Sequence, residues 1–105
     1  MAVWKDHERA IAKRLGGKRS GPQGQACADV VHPVLSIECK ERKSLPLWLM
    51  HAMGQAEDAA SGGKLPAVVL HQLGRRHDED LVVVRLKDFE RMTNELSMWD
   101  LPGPG

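Results

Sequence analysis

The chain has 105 residues and a formal net charge of +1 at neutral pH, which corresponds to one small domain of nearly balanced charge. Such a balance neither requires nor excludes nucleic acid, because a local basic patch can bind phosphates while the remaining surface stays neutral. The absence of Tyr and the single Phe argue against an aromatic platform that stacks single-stranded bases.

Cysteine usage and hydropathy bear on where the protein works. Cys27 and Cys39 form no CxxC pair and are typical of core residues in a reducing compartment. The first ten residues are charged, unlike a secretory signal, and no apolar run reaches membrane-spanning length. We therefore expect a cytoplasmic protein with no membrane partner.

The N-terminal segment predicts a helix over residues 3–15. Trp4, Ile11 and Leu15 form one stripe of a 3.6-residue period, and Glu8 occupies the same stripe. A carboxylate on an apolar face needs a partner, because burying it unpaired is costly. Gly16-Gly17 should end this helix.

The rest of the chain predicts alternating strands and helices. A basic, Gly-rich loop at 16–26 precedes strands at 27–31 and 34–41, followed by a helix at 47–60. Strands at 66–72 and 80–86, rich in Val and Leu, are expected to be covered on both faces, and a helix follows at 87–96. With a short first strand in the loop, the order is α-β-β-β-α-β-β-α, an α/β fold with a mixed central sheet flanked by helices. Residues 97–105 should form an irregular tail after a single domain at 1–96.

Three charged residues are predicted to meet on one face of the first hairpin. Glu38 and Lys40 share a face because side chains alternate along a strand. If His32-Pro33 is a two-residue loop, Val31 pairs with Val34. Asp29 then faces Ser36 and is the diagonal neighbour of Glu38, with Cβ atoms roughly 7–8 Å apart. Any even loop length preserves this shared face.

This arrangement predicts a site for Mg²⁺, or for Mn²⁺ in its place, because hard divalent ions prefer oxygen ligands. Asp29 and Glu38 supply carboxylates, and the backbone carbonyl of Cys39 can supply a third oxygen. Lys40 would orient the attacking water or neutralise charge on a phosphate. Glu8 is expected to bind the metal through water or to hold a second ion.

The stretch ADVVHPVLSIECKER resembles the active-site signature of the PD-(D/E)xK nuclease superfamily, and the chain is most similar to small phage and archaeal Holliday junction resolvases. The resemblance covers residues 4–90 and includes the superfamily's order of helix-Glu, loop, Asp, ExK and helix-Gln. Ala28 departs from it, since the family often has proline there. The resemblance implies a restriction-endonuclease-like core. It also assigns Gln55 to the site, where it would contact the water, the substrate or the lysine.

For function, the resemblance implies a Mg²⁺-dependent endodeoxyribonuclease that makes paired nicks in branched double-stranded DNA. A homodimer would match the two equivalent strands of a four-way junction. No small-molecule cofactor besides the metal is expected, and a phage-encoded copy would act in the host cytoplasm. Basic residues around the acidic pocket, together with the loop hydroxyl, are the expected DNA contacts: Lys13, Lys18, Arg19, Ser20, Arg42, Lys43, Arg75 and Arg76.

Several alternatives stay open from the sequence. Asp, Glu and Lys on a strand are often a solvated face with cross-strand ion pairs. A nicking, repair or flap endonuclease would use the same residues. A catalytically inactive DNA-binding protein with a degenerate site is a further alternative, which the intact Asp29, Glu38 and Lys40 count against, and a small dimeric interaction protein without nucleic acid is another. The five histidines lack the short paired spacings of structural zinc sites, so the sequence does not predict zinc, and His71 is expected at a strand end.

Overall fold

The computed structural model describes residues 3–20 and 29–95, with side chains described for 5–20 and 29–94. The chain divides into two compact units, one of residues 1–43 and 93–105 and one of residues 44–92. Its elements, in chain order, are α1 (Val3–Leu15), β1 (Lys18–Arg19), β2 (Val30–Val31), β3 (Ser36–Ile37), α2 (Leu47–Ala59), β4 (Val68–Leu70), a 3-10 turn (His77–Glu79), β5 (Leu81–Val83) and α3 (Leu86–Glu95).

Helix α1 has the bounds that its apolar stripe predicts. Ala12 and Leu15 are buried on the side that packs against β1 and β2. The helix ends because Gly16 adopts a φ of 75°, and the N–H of Gly17 then donates to the carbonyl of Ala12 at 2.8 Å. This is the Schellman arrangement, which satisfies a carbonyl that the helix leaves open.

The first unit contains a three-stranded antiparallel sheet in the order β1-β2-β3. Val30, on the central strand, has 0% exposure and is the centre of a small core. In the register of the sheet, Arg19, Val30 and Ile37 lie side by side on one face. The sheet therefore connects β1 to the two strands that the predicted acidic residues adjoin, with Asp29 just before β2 and Glu38 just after β3.

The assumed pairing of Val31 with Val34 was wrong. Val31 pairs with Ser36, so residues 32–35 form a four-residue loop. The physical reason is the His32 ring: its Nδ1 accepts the N–H groups of Val34 and Leu35 at 3.0 and 3.2 Å. A turn capped by its own side chain competes with the tighter loop. The shift is two residues, so side-chain parity is preserved.

The second unit contains a two-stranded antiparallel sheet, in which β4 pairs with β5, and β4 packs against α2. Met53 is the buried residue of α2. Helix α2 begins after Pro46, whose carbonyl accepts the N–H groups of Leu49 and Met50. Arg85 ties the segment between β5 and α3 to α2 by donating to Glu57 at 3.1 Å.

The structure confirms a mixture of helices and strands in the predicted order, but it corrects the sheet. In the described ranges the strands form two separate antiparallel sheets, not one mixed central sheet. The expectation that the Val-rich strands are covered on both faces was also wrong. The facing pair Val69 and Val82 is exposed by 61% and 65%, because only the other face of the hairpin packs on α2.

Two sequence-based expectations concern the chain ends and membranes. The tail at 97–105 lies outside the described residues, and the division into a domain at 1–96 and a tail stays a prediction. Among the described helices, none combines the length and apolar character that crossing a membrane requires.

Gly17 provides a test of how closely α1 approaches the sheet. A Cβ at this position would lie 2.6 Å from the carbonyl oxygen of Val31 and 2.7 Å from Val30 Cγ1. We expect Gly17→Ala to lower the free energy of unfolding by about 1–3 kcal/mol, because backbone atoms must move. Chemical denaturation measures the change.

The matched control is Gly54→Ala in α2, where an added Cβ would meet no atom within 4 Å. Alanine favours the helix over glycine, so this variant should gain about 0.5–1 kcal/mol. Equal effects of the two substitutions would contradict the close approach at Gly17.

Candidate active site

Asp29 lies at the point where the β2–β3 ladder ends. Extending the register by one residue puts Asp29 opposite Glu38 rather than diagonal to it. Its Oδ2 accepts the N–H of Cys39 at 2.8 Å, so the side chain takes the place of a ladder partner. On its other side, the Asp29 carbonyl accepts the N–H and the hydroxyl of Ser20 at 3.1 and 3.2 Å. Asp29 is thus held to both neighbouring segments.

Glu8 has found the partner that its position in the apolar stripe requires. Its Oε1 accepts a hydrogen bond from Arg19 Nε at 2.9 Å, and the two side chains are only 12% and 18% exposed. The pair links α1 to β1 on the face that also carries Val30. A paired, hydrogen-bonded carboxylate of this kind avoids the cost of an isolated buried charge.

Glu38 and Lys40 follow β3, which ends at Ile37 and is shorter than the strand predicted over 34–41, but their side chains still meet. Lys40 Nζ lies 3.1 Å from Glu38 Oε1, and both side chains are more than half exposed. An exposed ion pair contributes about 0–1 kcal/mol, so either side chain can rotate to another partner at small cost.

The half-buried Cys39 thiol is subject to the negative charges of the three predicted carboxylates. The pKa of this thiol is raised by burial and, in decreasing order, by the negative charges of Asp29, Glu8 and Glu38. Each of these charges opposes formation of a thiolate. In the register of the sheet, Asp29 and Glu38 flank Val30 and Ile37, so side-chain alternation assigns them to the face opposite the one that carries Arg19 and its partner Glu8.

The structure also locates the other predicted site residues. Gln55 is exposed on α2, in the second unit, and its contact with the site stays a prediction. Arg75 and Arg76 are on the β4–β5 loop of that unit, with Glu79 and Asp78 at 3.8 and 3.6 Å. The first unit carries the remaining predicted DNA contacts, of which all but Arg19 and Ser20 are exposed: Lys13, Lys18, Arg19, Ser20, Arg42 and Lys43.

The spacing of the histidines gave no indication of a second cluster, which lies on the β4–β5 hairpin. Ligand atoms of His71, His77 and Asp80 all lie within 4.8 Å of one another, which makes a possible metal-binding triad. In the described part of the chain no other three His, Cys, Asp or Glu side chains meet that distance. The group of Glu8, Asp29 and Glu38, called the acidic site below, does not meet it either. Strand register could have predicted the pairing of His71 with Asp80, since each borders a strand end.

The chain was compared with models of known protein families, with curated proteins and with solved structures, and none of them matches it. The assignment of a function therefore depends on the geometry of the acidic residues and on the chemistry they can support.

The raised pKa of the Cys39 thiol predicts slow alkylation at neutral pH, since the thiolate is the reactive form. Glu38→Gln removes the weakest of the three negative charges that act on the thiol, so it should lower the thiol pKa slightly and raise the alkylation rate. The rate is measured with iodoacetamide across a pH series, with Cys27 replaced by serine.

Glu41→Gln is the matched control, because it removes the same charge at an exposed position three residues away. It should leave the rate nearly unchanged. An equal acceleration by both variants would mean that Glu38 has no particular proximity to the thiol.

Proposed function

We propose that the first unit carries the site of a Mg²⁺-dependent DNA endonuclease. One observation carries the proposal: the Asp29 carboxylate, held by the Cys39 N–H, stands opposite Glu38. Two facing carboxylates bind a hard cation, and Lys40, two residues after Glu38, adds the positive charge that a phosphodiester requires.

The residues present fit a divalent metal ion. Asp29 would bind it through Oδ1, since Oδ2 is engaged by the Cys39 N–H. Glu38 and the carbonyl oxygen of Cys39 would complete the protein ligands. When bound, such an ion lowers the pKa of a coordinated water and stabilises negative charge on the phosphate.

The remaining residues have supporting roles in this proposal. Lys40 leaves Glu38 and orients the attacking water, or neutralises the charge that develops on the phosphate. Glu8, fixed by Arg19, acts through an ordered water rather than as a direct ligand. Ser20 holds the backbone of Asp29 and so keeps the carboxylate in place.

Within this activity, we place the substrate among branched double-stranded DNAs, with a four-way junction as the preferred member and paired nicks as the product. A homodimer with one site per subunit would match the two-fold symmetry of that junction. A restriction-endonuclease-like core belongs to the same proposal, as do Gln55 as a further site residue and Mn²⁺ as an alternative ion. The facing positions of Asp29 and Glu38 beside the β2–β3 hairpin support the nuclease part of this proposal.

The decisive experiment is cleavage of a labelled four-way junction beside linear, flapped and nicked duplexes of the same sequence, with Mg²⁺ and separately with Mn²⁺. We expect symmetric nicks in the junction. Glu38→Ala should lower the rate by at least about a hundredfold while junction binding persists, because charge stabilisation at the phosphate is lost. Glu41→Ala, an exposed neighbour, should cleave normally.

Each other outcome changes the assignment in a defined way. Preferred cutting of flaps or nicked duplexes would keep the nuclease and replace the resolvase with a repair or flap enzyme. Junction binding in EDTA without cleavage under any metal would indicate an inactive DNA-binding protein. Normal cleavage by Glu38→Ala would remove the site from this hairpin.

The exposed cations should contribute to DNA binding through phosphate contacts. Lys43 is exposed just beyond the Glu38–Lys40 segment, so Lys43→Ala should weaken binding to all DNAs alike. The slope of log affinity against log salt should become shallower by about 1. Binding isotherms at several salt concentrations measure it.

Lys87→Ala is the control, because Lys87 is an equally exposed lysine on α3. It should leave both the affinity and the salt slope unchanged. Identical slopes for the wild type and Lys43→Ala would show that Lys43 makes no phosphate contact.

A further inference from the structure

We propose that His71, His77 and Asp80 bind a divalent transition metal, with Zn²⁺ as the best match, at the tip of the β4–β5 hairpin. This site is separate from the acidic site, and its argument does not depend on the nuclease. It differs in chemistry as well: two imidazoles and one carboxylate suit Zn²⁺, whereas Mg²⁺ prefers oxygen ligands alone.

The hairpin brings the three side chains together. Leu70 pairs with Leu81 as the last rung of the sheet, so His71 and Asp80 face each other one residue beyond it. The 3-10 turn adds His77, because the N–H of Asp80 donates to the His77 carbonyl at 3.0 Å. Gly74, with a φ of 84°, lets the loop fold back between these points.

Distances between the donor atoms are close to those around a metal ion. His71 Nδ1 lies 2.6 Å from Asp80 Oδ1, and His77 Nδ1 lies 3.0 Å from Asp80 Oδ2. Zn²⁺ binds such atoms at about 2.0–2.2 Å in a tetrahedron, which separates neighbouring ligand atoms by roughly 3.3–3.5 Å. The two contacts with Asp80 therefore need to open by less than about an ångström to admit a metal ion, which would bind each neutral imidazole at the nitrogen that carries no proton.

The surroundings allow a cation to enter and to be retained. Asp80 is 12% exposed and anchors the cluster, whereas His77 is 83% exposed and leaves the site open to solvent. Within the same loop, Arg75 forms an ion pair with Glu79, and Arg76 forms one with Asp78. Asp80 adds one further negative charge, so the loop has no excess positive charge that would repel a metal ion.

An open, three-ligand site leaves a coordination position for water or another ligand. The two imidazole rings already lie close, with centroids 4.3 Å apart and planes inclined by 32°, which brings both rings to the same carboxylate. A bound ion would join the two ends of the hairpin loop, so it should also stabilise the second unit by preferential binding to the folded form.

The test is a titration of the full chain with ZnCl₂ in excess Mg²⁺, which occupies oxygen-only sites. Imidazole resonances are followed by NMR, and the stoichiometry is measured by calorimetry. We expect one Zn²⁺ per chain and selective shifts of His71 and His77, with the resonances of His7, His32 and His51 as internal references. Asp80→Asn and His77→Gln should each weaken binding by roughly tenfold or more.

The control variant is Asp78→Asn, which removes the same charge from the same loop and should retain full affinity. His77→Gln should keep the fold intact, because the His77 side chain is mostly exposed. Shifts spread over all five histidines would overturn the proposal. So would full-affinity binding by His77→Gln, or no saturable binding at millimolar Zn²⁺.

Discussion

The hydrogen bond from the Cys39 N–H to the Asp29 carboxylate is the contact on which the acidic site depends. It sits where the antiparallel ladder between β2 and β3 would otherwise continue, and it substitutes a side-chain oxygen for a backbone one. A charged acceptor makes this bond stronger than an ordinary ladder bond. The bond holds the peptide unit between Glu38 and Cys39 beside the Asp29 carboxylate.

The backbone around Asp29 is held in place by its neighbours in the first unit. Because the Asp29 carbonyl is held by Ser20, the carboxylate is fixed from the β1 side as well. The fully buried Val30 immediately follows Asp29 and anchors the strand in the core. The close approach of Gly17 to Val30 and Val31 then sets the distance of the helix end from the same strand. A rigid support of this kind is what a site for an ion and a phosphate needs.

Much of this could be predicted from the sequence, and the exceptions have physical causes. The 3.6-residue stripe and Gly16-Gly17 gave the bounds of α1, and alternation gave the shared face of Glu38 and Lys40. The register was not predictable from apolar pattern alone, because a shift of two residues keeps every side chain on its face. It was decided by the His32 ring, which accepts two backbone N–H groups.

The two hairpins also show why the histidine cluster escaped prediction. Metal-site rules count short intervals along the chain, whereas His71 and Asp80 meet across the loop, nine residues apart. In both hairpins the polar residues of interest lie one step beyond the last rung. Beyond the last rung the strands no longer exchange backbone hydrogen bonds. Side chains bond there to the backbone, as Asp29 does, or to each other, as His71 and Asp80 do. The end of a strand pair is thus a more informative place to search than any fixed spacing.

The burial of the two ion pairs in the first unit assigns different tasks to their carboxylates. Glu38 and Lys40 are both more than half exposed, so separating them costs little and Glu38 is available to a cation. Glu8 and Arg19 are both mostly buried, and breaking such a pair leaves an uncompensated charge at a cost of about 3–5 kcal/mol. A cation at this site should therefore recruit Asp29 and Glu38 directly. Glu8 stays with Arg19 and contributes its negative charge from a fixed distance.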